Sequence, residues 1–340
     1  MLSRAAHQEA GTYSTPNCSH AKRGTSWSVP LDPCLPFTSA HTPQFGIFEQ
    51  HFATDLPFLH APTFTKHLRK VDVTSLVDPF ASLLYAFLAL TTPFHSTFVE
   101  HPWCGSGRRS TPLEISERYA DAARSRLRNS NAYQNPSLDT THALLMIGLH
   151  EWRTRQGVQC FLTIGTAINC AEILWCHKQP DLYDDEDTWP SAQSTPAKSV
   201  KGEASLEDQY IIAETKRRTY WCCFILDSYV SSGENRRQKV RIDEINIQLP
   251  CSQKAFELGK NVRTMMLDEG ETQQDFNTRH FPSGDRRLDP NHDLEFEDER
   301  DQEGLTWFIK ALTVYRGVSD WVCNVTRRCA FHARASSASR

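Results

Sequence analysis

The stretch that decides the fold runs from Glu214 to Lys260 and reads ETKRRTYWCCFILDSYVSSGENRRQKVRIDEINIQLPCSQKAFELGK. Its first half has the spacing of a helix, with Arg217 and Arg218 just before Trp221 and a single acid further on at Asp227. We expect this helix to be buried on its aromatic side, near the centre of the domain. No residue here has the spacing of a catalytic motif.

The second half of the stretch predicts how that helix stops and how the chain returns. A Ser-Ser-Gly turn follows the helix, and Gly233 can supply the left-handed residue that ends it. A partly alternating run of isoleucines then predicts a short extended segment that ends at Leu249-Pro250.

Hydrophobic periodicity predicts further helices on both sides of this stretch. The segment 80–90 is apolar on every face and should lie in the interior, and we expect Gly157 to separate two central helices. The predicted helices cover 45–52, 63–70, 80–90, 113–127, 139–156, 158–175, 205–230 and 304–329. About eight helices and no convincing sheet predict an all-α fold, an irregular multi-helix domain.

Charge and composition divide the chain into ordered and unpacked parts. The net charge of −4 hides two acidic segments, with eight acids and two lysines in 180–208 and nine acids and three arginines in 285–303. The remainder is mildly basic, and the first 40 residues are rich in Ser, Thr, Pro and His. The expected organisation is a disordered segment 1–44, the first part of the domain 45–262 with an acidic linker 180–205, a disordered acidic linker 263–303, a C-terminal helix 304–330 of the same domain, and a tail 331–340.

The sequence offers no membrane segment. The longest largely apolar run, 79–90, is shorter than the roughly 20 residues that a spanning helix needs. The first residues lack the continuous apolar core of a secretory signal. We therefore expect no membrane partner and mostly reduced cysteines.

The eleven cysteines make zinc the first chemical question. Tetrahedral zinc needs its thiolates close together on short loops, yet the chain has no Cys-x2-Cys. Cys222 and Cys223 are adjacent and should face different sides of one helix. The nearest other spacings lie inside predicted helices and are Cys170-x5-Cys176 and Cys323-x5-Cys329. We predict buried thiols, with no metal ligand and no cofactor-binding residue.

Catalysis has one weak candidate set. His142 and His150 lie about two helical turns apart and, with Glu151, could act as acid and base. A histidine packed between helices is the commoner situation, so we expect no catalytic residue and no enzyme. A helical enzyme or small-molecule binder is kept as the weakest alternative.

Direct contact with DNA also has one candidate, the basic group that ends at Arg218. This group lies in the middle of a helix whose other face is aromatic. We expect Arg218 to bond carbonyl groups or an acid of a neighbouring helix, and not to bind phosphate.

Five ordered motifs give the chain a family resemblance. They are FEQHFATDLPFLHAPTF at 48–64, LLMIGLHEW at 144–152, FLTIGTAINCAEILW at 161–175, RRTYWCCFILDSYVSSG at 217–233 and IQLPCSQKAF at 247–256. In this order they resemble the regulatory domain of fungal zinc-cluster transcription factors, also called the middle homology region or xylanolytic-activator-type domain. The resemblance covers residues 45–325.

The resemblance implies an all-α domain that follows a six-cysteine zinc-cluster DNA-binding module. It implies a nuclear location, control of DNA-templated transcription, and partners among transcription-factor subunits or co-regulators, with a small-molecule effector possible. In the central helix pair it implies close approach at Gly165 and Ala167. The residues that carry the family signature, with structural roles, are Arg217, Arg218, Trp221, Asp227, Gly233, Leu249 and Pro250.

Three departures from the family pattern set further expectations. Ser228 stands where a basic residue is usual, and Arg236-Arg237 replaces an Arg-Pro pair, which should loosen the turn. Only 44 residues precede the domain, with only Cys18 and Cys34 among them. We therefore expect the zinc-cluster module to be missing from this chain, so that DNA is reached only through that missing module. The alternative function is a stand-alone helical interaction protein that does not bind DNA.

Overall fold

The computed structural model describes residues 43–70, 80–94, 111–129, 134–178, 206–232, 236–267, 295–296 and 304–338. Nine α-helices lie in these ranges. They are α1 (Pro43–His51), α2 (Ala61–Lys70), α3 (Phe80–Thr91), α4 (Pro112–Asn129), α5 (Leu138–Arg153), α6 (Gly157–Ile173), α7 (Leu206–Val230), α8 (Gln253–Glu257) and α9 (Gly304–Ala338). The prediction of an all-α fold is confirmed.

The centre of the core is α3, which is buried along its whole length after Phe80. It packs against α4 and α5, and α5 in turn packs against α6 and α7. Because α3 is apolar on every face, it can be enclosed on all sides. Its last turn carries Thr91, whose hydroxyl group donates to the Phe87 carbonyl at 3.0 Å and so needs no outside partner.

Aromatic rings attach the first helices to this core. Phe48 of α1 and Phe64 of α2 both contact Phe87, with ring centroids 5.5 and 5.0 Å apart. Phe52 follows α1 directly and is also buried. The predicted helix 45–52 therefore places the Phe48 ring in the core.

The junction between α5 and α6 differs from the prediction that Gly157 would interrupt the helices. Helix α5 ends at Arg153, and Arg155 takes the left-handed conformation with φ 62°. The amide of Gln156 donates to the Glu151 carbonyl at 2.8 Å, which closes the helix end. Gly157 is the first residue of α6. The break therefore comes earlier, at a residue type that does not predict it.

Helix α6 is also shorter than predicted. It ends at Ile173, and Trp175, expected within the helix, has φ 59°. The amide of Cys176 donates to the Ala171 carbonyl at 3.0 Å in the same type of helix end. Trp175 is consequently half-exposed.

The return segment after α7 holds more structure than an extended run. It has a 3-10 turn at Ile242–Glu244, isolated bridges from Asn246 and Gln248, and the short helix α8. A five-residue helix is too short to show periodicity, so the sequence did not predict it. Ser137 and Ser252 cap the helices α5 and α8, each accepting a backbone amide hydrogen with its side chain.

Part of the segment predicted as the linker 263–303 is packed. The strands β1 (Val262–Arg263) and β2 (Glu295–Phe296) pair in parallel, and Thr264 and Met265 are buried. Strands of two residues carry no usable periodicity. The other predicted linker, 180–205, and Gly233 lie outside the described residues.

Helix α9 runs to Ala338, well past the predicted end at 330. Its inner side, with Ile309, Leu312 and Arg316 buried, packs against α7. Within the described ranges, no helix combines the length and apolar character needed to cross a lipid bilayer.

The close contact between α5 and α6 depends on Gly148. A Cβ atom built there would lie 2.2 Å from Cδ1 and 2.8 Å from Cγ1 of Ile164, a fully buried side chain. At Gly165, which we expected to allow this approach, a Cβ would instead meet the flexible Lys239 side chain, with Nζ at 2.5 Å. The glycine that permits the helix contact is therefore on α5.

We expect Gly148→Ala to lower the free energy of unfolding by about 1–3 kcal/mol, because the added methyl group overpacks the contact. Ile164→Val removes Cδ1, so the double variant Gly148→Ala/Ile164→Val should be less destabilised than the sum of the two single variants. Urea denaturation measures all four proteins. Strict additivity would contradict this assignment of the contact.

Candidate functional site

A buried ion-pair cluster lies in the first half of α7 and is formed by Glu214, Arg217 and Arg218. Arg217 bonds Oε2 of Glu214, and Nε of Arg218 donates to Oε1 at 2.9 Å. The amide of Cys251 donates to the same Oε1 at 3.0 Å. All three charged side chains are buried. We call this the Glu214 cluster.

Arg218 extends the Glu214 cluster to two distant segments of the chain. Its Nη2 donates to the Cys251 carbonyl at 2.7 Å, and its Nη1 donates to Oε1 of Gln253 at 2.8 Å and to the Pro57 carbonyl at 3.2 Å. Its guanidinium carbon lies 4.3 Å from the centroid of the Phe256 ring. One side chain thus joins α7 to the segment before α2 and to the return segment.

The charge state of Glu214 follows from these contacts. Burial alone would raise the pKa of Glu214, but the charges of Arg217 and Arg218 and the hydrogen bonds from Arg218 and Cys251 hold that pKa below its ordinary value. The carboxylate is therefore ionised and paired. A guanidinium group occupied in this way is not available to a phosphate group.

The other described signature residues on either side of the α7–return-segment contact are buried. Trp221 is fully buried, and its Nε1 donates to the Gln248 carbonyl at 2.8 Å. Leu249 is also fully buried, and its amide donates to the Met265 carbonyl at 2.8 Å. Pro250 is buried next to it. These contacts align the return segment along the helix.

A second buried ion pair, the Asp227 cluster, lies at the other end of α7. Oδ2 of Asp227 accepts from Nη2 of Arg316 at 3.0 Å and from the amides of Lys239 and Val240 at 2.9 and 3.0 Å. Arg316 also donates to the Val240 carbonyl at 2.6 Å and to Oε1 of Gln238 at 2.9 Å. Both charged side chains are 1% exposed.

Burial dominates the electrostatics of the Asp227 cluster. It raises the pKa of Asp227 above its ordinary value, although Arg316 and the two amides act in the opposite direction. Within the described part of the chain, Oδ1 of Asp227 has no hydrogen-bond partner. The carboxylate is therefore costly to bury and depends on Arg316 for its charge balance.

Sequence reasoning missed Arg316, which is 89 positions from Asp227. The available signal was an arginine in an otherwise apolar stripe, seven residues after Ile309 and four after Leu312 on the same helix face. A cation in such a stripe predicts a buried acid opposite it. The sequence alone did not identify which acid.

One departure from the family pattern, Ser228, takes part in these contacts. Ser228 donates to the Phe224 carbonyl at 2.6 Å and lies 3.4 Å from Nη1 of Arg316. A basic side chain at this position would place a second positive charge beside the buried guanidinium group. Arg236 donates to the Val230 carbonyl at 3.2 Å and so satisfies the end of α7, whereas Arg237 is exposed.

The three residues of the acid–base hypothesis do not form one site. His142 stacks on Phe58 with ring centroids 3.9 Å apart, and its Nε2 bonds the Thr219 hydroxyl at 2.8 Å. That hydroxyl donates to the Thr215 carbonyl, so the His142 Nε2 carries the hydrogen. Burial lowers the pKa of His142 to about 3, which keeps the imidazole neutral.

His150 has different neighbours. It lies eight residues further along α5, about 12 Å along the helix axis. Its Nε2 lies 3.0 Å from the Ser116 hydroxyl, and burial lowers its pKa to about 4. Glu151 accepts from Nε of Arg124 at 3.0 Å. Each group has a structural partner, and the two histidines act at separate contacts.

The described cysteines are buried thiols or partly exposed and form no disulfide. Burial raises the pKa of Cys160 and of Cys176 to about 12. Cys222 donates to the Asp55 carbonyl at 3.3 Å. Burial raises the pKa of Cys223 well above its ordinary value, and nearby Cys176 acts in the same direction. In the ranges that the structure describes, no three His, Cys, Asp or Glu side chains lie together as a metal site would require.

The geometry therefore defines an all-α domain whose buried charges join distant segments around α7. The sequence matches the family described as fungal specific transcription factor domain over residues 41–282. The match covers most of the chain, and the protein belongs to this family.

Curated relatives agree with the family. The chain is 29% identical over 270 residues to the Zn(2)-C6 fungal-type transcription factor FTF1c of Fusarium oxysporum f. sp. lycopersici, which is 79% of this chain and 24% of that protein. It is 36% identical over 118 residues to the factor FTF2 of the same fungus, 35% of this chain and 10% of FTF2.

A more distant fungus provides a third relative, an uncharacterized transcriptional regulatory protein of Schizosaccharomyces pombe. It is 29% identical over 201 residues, 58% of this chain and 17% of that protein. The chain thus spans a quarter or less of the length of these relatives. No solved structure matches it.

We expect Arg218→Lys to lower the free energy of unfolding by roughly 2–3 kcal/mol, because an ammonium group cannot serve the separate acceptors of the Glu214 cluster. Arg237→Lys makes the same exchange at an exposed position and should change stability by less than about 0.5 kcal/mol. Chemical denaturation measures both. Equal effects would show that the contacts of Arg218 contribute nothing specific.

The two buried histidines predict a pH dependence. Their folded-state pKa values lie below the ordinary 6.5, so the unfolded chain binds protons that the folded chain excludes as the pH falls from about 6.5 to 4. Each histidine should lower the free energy of unfolding by about 1.4 kcal/mol per pH unit in that window.

His142→Gln keeps an N–H donor for Thr219 and removes one titrating group. In this variant we expect the slope of the unfolding free energy against pH to fall by about 1.4 kcal/mol per pH unit between pH 6 and 4.5, which corresponds to one proton. Above pH 7.5 the two proteins should have parallel profiles, which serves as the internal control. An unchanged slope below pH 6 would contradict the buried neutral imidazole.

Proposed function

We propose that this chain is the regulatory domain of a fungal transcription factor and controls DNA-templated transcription in the nucleus. The observation that carries the proposal is the family match over residues 41–282, combined with an all-α fold. The names of the relatives support it, since all three describe transcription factors or regulators.

The domain would act through proteins and would not read DNA by itself. Groove recognition needs basic and polar side chains that reach outward. The basic pair of α7 is instead buried in the Glu214 cluster, where Arg218 bonds two other segments. DNA contact, and the zinc that its module would hold, are therefore assigned to a zinc-cluster module of the type named in the relatives.

The partners proposed are other transcription-factor subunits or co-regulators, with a small-molecule effector as a further possibility of the family. An enzymatic role has little support from the geometry. His142 is buried between Phe58 and Thr219, and His150 lies at a separate contact. The stand-alone interaction role has no contact that favours it over the regulatory role.

Tethering the domain to a promoter tests the proposal directly. The 340-residue chain is fused to an unrelated sequence-specific DNA-binding domain in a fungal host, with a reporter of intermediate basal transcription. We expect the fusion to raise or lower reporter transcription several-fold relative to the DNA-binding domain alone. Reporter output equal to that of the DNA-binding domain, at equal nuclear protein levels, would overturn the proposal.

Two variants control the tethering experiment for folding. The Arg237→Lys fusion should retain the effect, and the destabilised Arg218→Lys fusion should lose part of it. Protein levels and protease resistance of each fusion are measured in the same cells. An effect that survives complete unfolding of the domain would also count against a folded regulatory domain.

A further inference from the structure

The outer side of α9 carries a solvent-exposed apolar stripe, beside which Nζ of Lys310 lies 5.0 Å from the centroid of the Trp307 ring. The stripe consists of Trp307, Ala311, Val314, Val318 and Trp321, whose separations are four, three, four and three. The two tryptophans are 54% and 67% exposed, and the two valines are 68% and 56% exposed. The opposite side of the helix already packs against α7, so the stripe is not the inner face of this domain.

A glycine beside the stripe is an independent observation. Gly317 lies in the interior of α9, where glycine costs about 1 kcal/mol relative to alanine. A Cβ atom built there would meet nothing within 4 Å. The packing of the described residues therefore gives no reason for the glycine, whereas a second helix lying close to α9 would.

The charge pattern indicates what kind of partner fits. Between Gly304 and Cys323 the helix has only three charged residues, of which Arg316 is buried in the Asp227 cluster. The other two, Lys310 and Asp320, have opposite signs. Such a surface offers few ion pairs to a strongly charged peptide. It also does not repel a second copy of itself.

The spacing of the stripe is that of a seam between two helices. Alternating steps of three and four residues keep one face of a helix toward a partner helix. In an antiparallel pair centred near residue 316, Trp321 of each copy lies opposite Ala311 of the other, and Val314 lies opposite Val318. Gly317 of both copies then falls beside the two-fold axis, and large residues meet small ones.

The exposed area is sufficient for a weak, specific dimer. The two tryptophans and the flanking Tyr315 keep about half or more of their surface exposed, and a buried aromatic side chain contributes roughly 150–250 Å². With the valines included, two copies would bury on the order of 1,000 Å², the lower limit of specific interfaces.

We propose that the outer face of α9 is a homodimerisation surface at which two copies of this chain pair through antiparallel α9 helices. Sedimentation velocity of the 340-residue protein between about 1 and 100 µM should show a concentration-dependent shift from 38.8 kDa to twice that mass. A protein that stays monomeric over this range would overturn the proposal.

Matched variants test whether the outer face of α9 forms the dimer interface. Val314→Glu should weaken association at least tenfold, while Val158→Glu, at a 72% exposed valine of α6, should not change it. Gly317→Leu should also weaken association without loss of monomer stability, because a Cβ atom at this position meets no described residue within 4 Å. Equal effects of the two valine variants would remove α9 from the interface.

Orientation is tested by cysteine pairing in mixtures. An Ala311→Cys chain mixed with a Trp321→Cys chain should give a disulfide between the two introduced residues, identified by peptide mass. Ala311→Cys alone should give little of it. Efficient pairing of Ala311→Cys with itself would indicate a parallel dimer and overturn the antiparallel arrangement.

Discussion

Buried charge pairing along α7 is the constraint on which the rest of the structure depends. Moving a carboxylate or guanidinium group out of water costs several kcal/mol unless its partners are in place. Glu214 and Asp227 impose this condition near the two ends of the buried part of one helix. The partners come from distant parts of the chain, so α7 cannot be buried until those segments have arrived.

The two clusters fix different segments of the chain. The Glu214 cluster fixes the segment before α2 and the start of α8, since Arg218 bonds the carbonyls of Pro57 and Cys251. The Asp227 cluster fixes the amides of Lys239 and Val240 and, through Arg316, the helix α9. Apolar contacts alone would allow these segments to slide, whereas directed hydrogen bonds select one register.

The sequence was most informative where a pattern repeats over several turns. The long helices were predicted from periodicity. The features that the sequence did not predict depend on single residues or on pairs of residues that are far apart along the chain. Arg155 and Trp175 end helices in a conformation that favours glycine, and α8, β1 and β2 are too short for periodicity.

The candidate site likewise contains residues that the sequence identified and residues that it did not. Arg218, Trp221 and Asp227 were identified in advance because they lie within one motif, but Arg316 was not, since its partner is 89 residues away. Gly148 was passed over for Gly165 because both look alike in sequence and only the packing against Ile164 distinguishes them. Long-range pairing, not local propensity, sets the limit of the prediction.

The position of α9 follows from these constraints. An arginine on its inner side is bonded to a carboxylate that has no other side-chain counter-charge among its hydrogen-bond partners, so displacing α9 would leave Asp227 unpaired in the interior. Breaking a buried pair in this way costs roughly 3–5 kcal/mol. The helix is therefore held in one rotation about its axis. That rotation keeps Trp307 and Trp321 exposed, although burying them elsewhere would be favourable. A buried ion pair on one side of α9 thus determines which apolar face the domain presents on the other.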